Sequence, residues 1–491
     1  MTHGGDTSAT AQSDRLAASF RDPAGRVVLY KDRVLRIVNP TGMEDLAAFL
    51  TSSAGQKLIE ERLVIGTRQL RGDEIQDLSG DPSFAALAES VASASVFEHE
   101  RIFFPSYPYE WPVEMLFAAA RLTMDLALRL LPHGLGLKDG TPYNVLFRGP
   151  EPVFVDVLSF ERRNARDATW LPYAQFVRTF LLPLLVAKHF GLQPNQVLFT
   201  RRDGLEPEEV YRWLSLTQKL SPAFLSTVVL PSWLTSKYEN NAERIHKTDH
   251  STDPEKAQFV LNHLLKGTSR KLARVSPSMG SKSAWTDYMS TNNNYSADHF
   301  AAKEKFVRET MAEIRPKRVL DVGCNNGHFS EIAARAGASV IAIDYDPVVL
   351  GDVWRRARAN SLDILPLAVN LCRPTPAMGW RNEECPSFLD RAQGAFDCVL
   401  MLAVIHHMLV TERVPLPDII DTVAGITMGY LIVEFVGTQD SMFRRIARGR
   451  DHLHADLTAD VFERECRRRF EIVHRQHVPG TERWLYLLRR N

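Results

Sequence analysis

From Arg318 to Pro347 the chain alternates apolar runs with polar turns. Val319-Leu320 closes on Asp321, and Gly323, Asn325 and Gly327 then mark a tight turn. Phe329 to Arg335 carries a helical pattern, and after Gly337 a second apolar run, Val340 to Ile343, closes on Asp344. A strand, turn, helix and strand over about 30 residues form the βαβ half of a parallel sheet. Further strand-like runs follow at Leu365–Leu371, Phe396–Leu402, Tyr430–Phe435, Phe470–His477 and Trp484–Leu488. A helix over Ala301–Ile314, ended by Pro316, leads into the first of them.

Upstream the pattern is different. Gly25 onward alternates apolar and polar residues around Lys31-Asp32, which predicts a β-hairpin. Helical spacing covers Met43–Arg62, Phe84–Val96 and Met115–Leu131, with the strand-like run RLVIGTRQL from Arg62 and an aromatic stretch, RIFFPSYPYEWP, from Arg101. Later helices are expected at Leu171–Phe190, Pro207–Gln218, Pro222–Val229 and Ala257–Leu265. The apolar run from Phe180 is short and contains Pro183, so it reads as a buried helix.

The turn after Asp321 brings backbone N–H groups and a helix N-terminus to one point where a ligand approaches closely. A dinucleotide site wants G-x-G-x-x-G aimed at a pyrophosphate. Here the frame is D-x-G-x-N-x-G, and an aspartate on the strand repels a diphosphate but suits a cationic or amino-bearing ligand. Asp344 lies where a carboxylate accepts from both ribose hydroxyls. These features together point to S-adenosyl-L-methionine (SAM).

LDVGCNNG, VIAIDYDP, LAVNLCRP and FDCVLMLAVIHHML, in this order, resemble the successive cofactor motifs of class I SAM-dependent methyltransferases. The one departure is Asn325 in place of the middle glycine. Asparagine tolerates positive φ better than other non-glycine residues, so the turn is expected intact. W-x-x-Y before the domain, PTPAMGW, IHHM, VEFVG and PGTERWLYLLRR are similar to the methyltransferases grouped with rhizobial nodulation proteins. The resemblance implies a seven-stranded, mostly parallel sheet of doubly wound Rossmann-like form, closed by an antiparallel hairpin. It implies a cofactor lined by Asp321, Gly323, Asn325, Gly327, Asp344, Tyr345, Asn370, Leu371 and Leu402. Asn370 would accept from the adenine amino group and donate to a ring nitrogen.

Methyl transfer from a sulfonium leaves a neutral group, so positioning and deprotonation of the nucleophile are the main demands. A hydroxyl acceptor benefits from a base near neutrality, the province of histidine. His407 is the favoured base and His406 its alternative, both following strand four; the competing reading packs the pair behind the cofactor pocket. Glu434, at the end of strand five, is a second candidate. Trp380, Asn382 and Glu383 are candidates for the acceptor pocket. Trp285, Tyr288 and Tyr295, just before the domain, either fold over the cofactor as a lid or staple the linker to the surface.

A second informative stretch, LKDGTPYNVLFRGPEPVFVDVLSF from Leu137, resembles the catalytic loop and metal-binding strand of kinase-like folds. The resemblance puts Asp139 at the base position, with Asn144 and Asp156 holding Mg²⁺. It departs from the pattern in several places. Leu137 stands where the histidine belongs, Val-Leu follows Asp156, residues 20–60 hold no glycine-rich loop, and Lys31 is a weak match for an ATP lysine. The plain alternative is that these polar residues cap turns.

With 491 residues the chain is too long for one core. The expected organisation is a disordered tail over 1–15, an α+β domain over 16–266 that is kinase-like or mainly helical, a linker or lid over 267–299, and the methyltransferase domain over 300–491. A formal net charge of +0 argues against nucleic acid held by a global field. The clusters Arg444-Arg445 and Arg467–Arg469 read as solvated helix faces. Five cysteines without a C-x-x-C pair read as reduced thiols in a cytoplasmic protein, and no stretch is long enough for a membrane span. The leading reading is O-methylation of a small-molecule or glycan acceptor. One rival is a bifunctional kinase-methyltransferase with Mg-ATP in the N-terminal half, and another is a SAM-binding scaffold without turnover. No firm metal site and no oligomeric state follow from the sequence.

Overall fold

The computed structural model describes residues 22–81, 84, 95–238, 253–277 and 297–491. The C-terminal half is built on β9 (Arg318–Val322), β10 (Ser339–Asp344), β11 (Ile364–Ala368), β12 (Phe396–Met401), β13 (Thr427–Val436), β14 (Phe470–His477) and β15 (Arg483–Arg490). They form one seven-stranded sheet in the order β11-β10-β9-β12-β13-β15-β14. The first five strands of that order run parallel, and β15 is antiparallel to both β13 and β14. Strand β9 is central, and its Asp321 faces Ala342 of β10 and Leu400 of β12. The strand order reverses between β10 and β12, on either side of β9, so the carboxyl end of β9 opens into a crevice where ligands gather.

The N-terminal half opens with the expected hairpin. β1 (Gly25–Tyr30) and β2 (Arg33–Val38) pair Tyr30 with Arg33 across Lys31-Asp32. With β3 (Thr67–Gln69) and β4 (Ser95–His99) they make a four-stranded sheet, order β1-β2-β4-β3. Ser95 and Val96 thus belong to a strand rather than to the expected helix, whose middle lies outside the described residues. Helix α1 (Pro40–Thr51) follows the hairpin, and α2 (Val113–Leu130) is the long buried helix of this half. Two short antiparallel pairs, β5 (Leu135–Leu137) with β8 (Phe160–Arg162) and β6 (Val145–Arg148) with β7 (Glu151–Phe154), carry the Asp139–Asp156 stretch. Helix α3 (Pro254–Arg274) runs beyond Gly267, so the segment read as linker is helical as far as Arg274. An apolar stripe (Ala257, Leu261, Leu265, Thr268, Leu272) at helical spacing explains this, because it buries against the domain. Trp285, Tyr288 and Tyr295 lie outside the described residues, as does the 1–15 tail.

The aromatic stretch from Arg101 is the seam between the halves. Phe104 packs edge-on to Phe388 at 5.7 Å and against Phe396 at 5.8 Å, and all three belong to one core that also holds Trp111 and Phe154. Glu110 is wholly buried and receives Arg391, while Thr375 Oγ1 donates to it over 2.5 Å. Trp354 Nε1 donates to the Pro150 carbonyl at 2.9 Å. Among the described residues no helix is long and apolar enough to cross a membrane.

Candidate active site

The turn between β9 and α5 (His328–Arg335) is wound as its sequence predicts. Gly323, Asn325 and Gly327 all take positive φ, +68°, +47° and +74°. Asparagine therefore fills the place of the middle glycine without unwinding the turn. A Cβ on Gly323 would lie 2.1 Å from Val404 Cγ2, so only glycine lets the segment after β12 close on the turn. Gly323 and Cys324 both donate their N–H to the Ile343 carbonyl, at 2.8 and 3.0 Å, which ties the turn to the end of β10.

Two carboxylates frame this turn. Asp344 accepts from the N–H of Asn325 at 2.9 Å and of Asp346 at 3.0 Å, and burial raises its pKa against those bonds. Asp321 is buried and accepts from Ser330 Oγ at 2.6 Å. Burial pushes its pKa up to about 6, opposed by the Ser330 hydrogen bond and the Lys303 charge. Tyr345 stands exposed beside Asp344, and Leu371 and Leu402 are buried. Strand β11 ends at Ala368, so Asn370 sits in a turn rather than on the strand. Its Oδ1 accepts from the Cys372 N–H at 2.9 Å, which orients the amide and leaves a second lone pair.

Beyond β12, helix α6 (Ile405–Val410) carries the two histidines with ring centroids 4.4 Å apart. Their environments differ. His406 is fully buried, neither ring nitrogen has a partner among the described residues, and burial drives its pKa far down. His407 is half-buried, and its pKa is lowered by burial and by the Arg483 charge. Both rings are therefore neutral at neutral pH.

Glu434 is not an open carboxylate. Lys303 Nζ lies 2.6 Å from Oε2 and Arg483 Nη1 donates to Oε1 at 3.0 Å, all within the core. Arg483 also forks onto Asp440, at 2.8 and 3.1 Å. Two basic side chains on one carboxylate keep it engaged, which suits anchoring better than proton transfer. Lys303, Arg483, Asp440 and Ser330 were not singled out from the sequence. Lys303 has a visible signal, because it continues the apolar face of α4 (Ala297–Ile314) formed by Phe306, Val307, Thr310 and Met311. Trp380, Asn382 and Glu383 are exposed on a short turn whose neighbour Glu384 is held by Arg202 of the N-terminal half.

In the N-terminal half Asp139, Asn144 and Asp156 lie on segments tied together through the backbone. The Val155 N–H donates to the Asn144 carbonyl at 2.8 Å, and the Asp139 N–H donates to Ser159 Oγ at 3.2 Å. Burial raises the Asp139 pKa, and the Asp156 charge adds to it. A buried arginine of β2 occupies the other side: Arg36 Nη1 donates to Asp156 Oδ1 at 2.9 Å while its Nε donates to His99 Nε2 at 3.1 Å. Lys31, the weak lysine candidate, sits instead on the exposed hairpin turn, 3.5 Å from Asp81. Among the described residues no group of three His, Cys, Asp or Glu is placed to hold a metal ion.

The sheet and the turn after Asp321 define a class I SAM-dependent methyltransferase. A family model described as a methyltransferase domain matches residues 295–458. The chain belongs to the family of the nodulation protein NoeA of Rhizobium meliloti (strain 1021), with which it is 30% identical over 98% of both chains. Over 99 residues it is 31% identical to a ubiquinone biosynthesis O-methyltransferase of Xanthomonas euvesicatoria pv. vesicatoria, covering 20% of this chain and 36% of that protein. Among solved structures it is similar to the N-methyltransferase NodS of Bradyrhizobium japonicum WM9 in complex with S-adenosyl-L-homocysteine (SAH). That likeness is 16% identical over 41% of this chain and 91% of NodS, with a TM-score of 0.29. It is also similar to the bifunctional kinase-methyltransferase WbdD, at 17% identity over 43% of this chain and 42% of that one, TM-score 0.28.

Proposed function

We propose that the chain transfers the SAM methyl group to a hydroxyl oxygen of a small-molecule or glycan acceptor, with His407 as the base. The observation that carries this is the placement of His407. It is neutral and half-buried on a helix whose preceding residue, Val404, packs against the Gly323 turn. A hydroxyl must shed its proton as it attacks, and a neutral imidazole takes it. The partial relative named as an O-methyltransferase agrees with this choice.

The residues fit SAM. Asp344 would hold the ribose hydroxyls, Asn370 the adenine edge, and the backbone of Gly323–Gly327 the amino-acid end beside Asp321. SAM supplies a methyl group on a sulfonium, the electrophile of the reaction. His407 orients the acceptor hydroxyl and receives its proton at a ring nitrogen. His406, buried behind it, keeps the helix against the sheet, and Glu434 anchors α4 and β15 to the same place through Lys303 and Arg483.

Arg36 seated on Asp156 favours the N-terminal half as a companion domain over a Mg-ATP site, because a guanidinium occupies the position a divalent cation needs. The test is to incubate the protein with methyl-labelled SAM and a panel of hydroxylated small molecules and oligosaccharides. Label found as an O-methyl ether or ester by mass spectrometry supports the reading, and label found only on nitrogen overturns it.

A further inference from the structure

At the end of the helix that carries the histidines, a cavity of about 330 Å³ opens between α6, the turn after it and residues 447–454. That volume lies at the small end of the range for small-molecule sites. Its lining includes the half-buried Leu409 and Val414, with Leu453, 66% exposed, at its mouth together with Arg413, Arg450 and His454.

The charges around this cavity are out of balance. Elsewhere in this half Arg373 pairs with Glu412 at 2.8 Å and Arg469 with Asp421 at 2.7 Å. Glu412, next to Arg413 in sequence, is thus already engaged. Among the described side chains no ion pair or hydrogen bond engages the guanidinium of Arg413 or of Arg450. Two unpaired guanidinium groups beside an apolar lining suit a ligand that is anionic at one end and apolar along its body. Guanidinium forks match the planar or tetrahedral oxygens of carboxylate and phosphate.

Val410, which lines the cavity, lies one helical turn beyond His407 on the same side of α6. We infer that this cavity seats the acceptor, and that the acceptor carries a phosphate or carboxylate group beside an apolar body. The inference rests on the methyltransferase reading above and specifies the class of substrate for that site. The anionic group fixes one end, and the apolar body lies on Leu409 and Val414, so the reacting hydroxyl is brought toward His407.

The experiment is calorimetric titration of the full chain, saturated with SAH, with octyl phosphate, octanoate and octanol. The expected result is binding of at least one of the two anionic probes, ten-fold or more tighter than octanol. Whichever anion binds tighter tells phosphate from carboxylate. The double variant Arg413→Gln/Arg450→Gln should lose ten-fold or more in affinity for that anion while binding SAH as before. Equal binding of octanol, no binding of either anion, or undiminished anion binding by the variant would each overturn the inference. Failure to bind SAH would instead sink the methyltransferase reading, so the two failures are distinguishable.

Discussion

Lys303 and Glu434 meet 2.6 Å apart, with side chains 5% and 0% exposed. They join the helix before the sheet to its fifth strand. Arg483 on β15 completes the arrangement from the other side and hands the charge on to Asp440. The network holds two cations and two carboxylates, each with a partner, which is the condition under which buried charge is tolerated. Breaking one member leaves the rest uncompensated. Glu434→Gln should therefore destabilise the protein by about 3–5 kcal/mol, the usual cost of stranding a buried partner. Denaturant unfolding of the variant checks this, and a change below about 1 kcal/mol would show that the network is not carrying that charge.

His407 gives a kinetic prediction. Its pKa lies below the ordinary value of 6.5, through burial and the Arg483 charge. The neutral form is the base, so kcat/KM should be flat through neutrality and fall only as pH drops below that lowered pKa. His407→Gln should cut kcat by about 10²–10⁴-fold, the usual contribution of a general base, while SAH affinity is retained. An acid limb centred above pH 7, or full activity in the variant, would remove His407 from the base position.

Asp321 titrates in the opposite sense. Its folded pKa of about 6 lies above the ordinary aspartate value of 3.8. Between those values the folded protein binds more protons than the unfolded chain, so this group lowers stability as pH rises from about 4 to about 6. Asp321→Asn should flatten that part of the stability–pH curve relative to the parent and weaken SAM binding. Parallel curves for the two proteins across pH 4–6 would contradict the assignment.

At the seam, Arg391 and Glu110 form a second buried pair, with side chains 5% and 0% exposed, linking the halves beside the Phe104–Phe388 contact. Arg391→Ala should cost about 3–5 kcal/mol by leaving Glu110 buried and unpaired. Because one core runs through both halves, the parent should unfold in a single calorimetric transition. Two well-separated transitions in the parent would show that the halves are energetically independent.

A titration with ATP and Mg²⁺ examines the N-terminal half. Arg36 on Asp156 predicts no Asp156-dependent heat. Heat abolished by Asp156→Ala would restore a nucleotide site there.

The C-terminal fold was readable because its signals are local. Val319-Leu320 ending on Asp321, a turn of positive-φ residues and a second strand ending on Asp344 dictate one supersecondary unit, and Asn325 at φ +47° met the expectation placed on it. The buried network was not readable, because Lys303, Glu434 and Arg483 are far apart in sequence and are joined only by the sheet order. A lysine on an otherwise apolar helix face, and Arg36 in an apolar strand, were the available hints. The linker was misjudged at its start because the polar residues Arg270 and Arg274 lie on the exposed side of α3, where polarity does not oppose helix. The aromatic stretch from Arg101 was visible as a feature, but its role depends on Phe388 and Phe396, almost 300 residues later.

The turn between Asp321 and Asp344 is the site proposed for SAM. Its most direct test is calorimetric titration of the purified chain and of Asp344→Ala with SAM. The parent should bind saturably and one-to-one, and the variant should lose ten-fold or more in affinity while still folded by circular dichroism. No SAM binding by the parent, or equal binding by the two proteins, would contradict it.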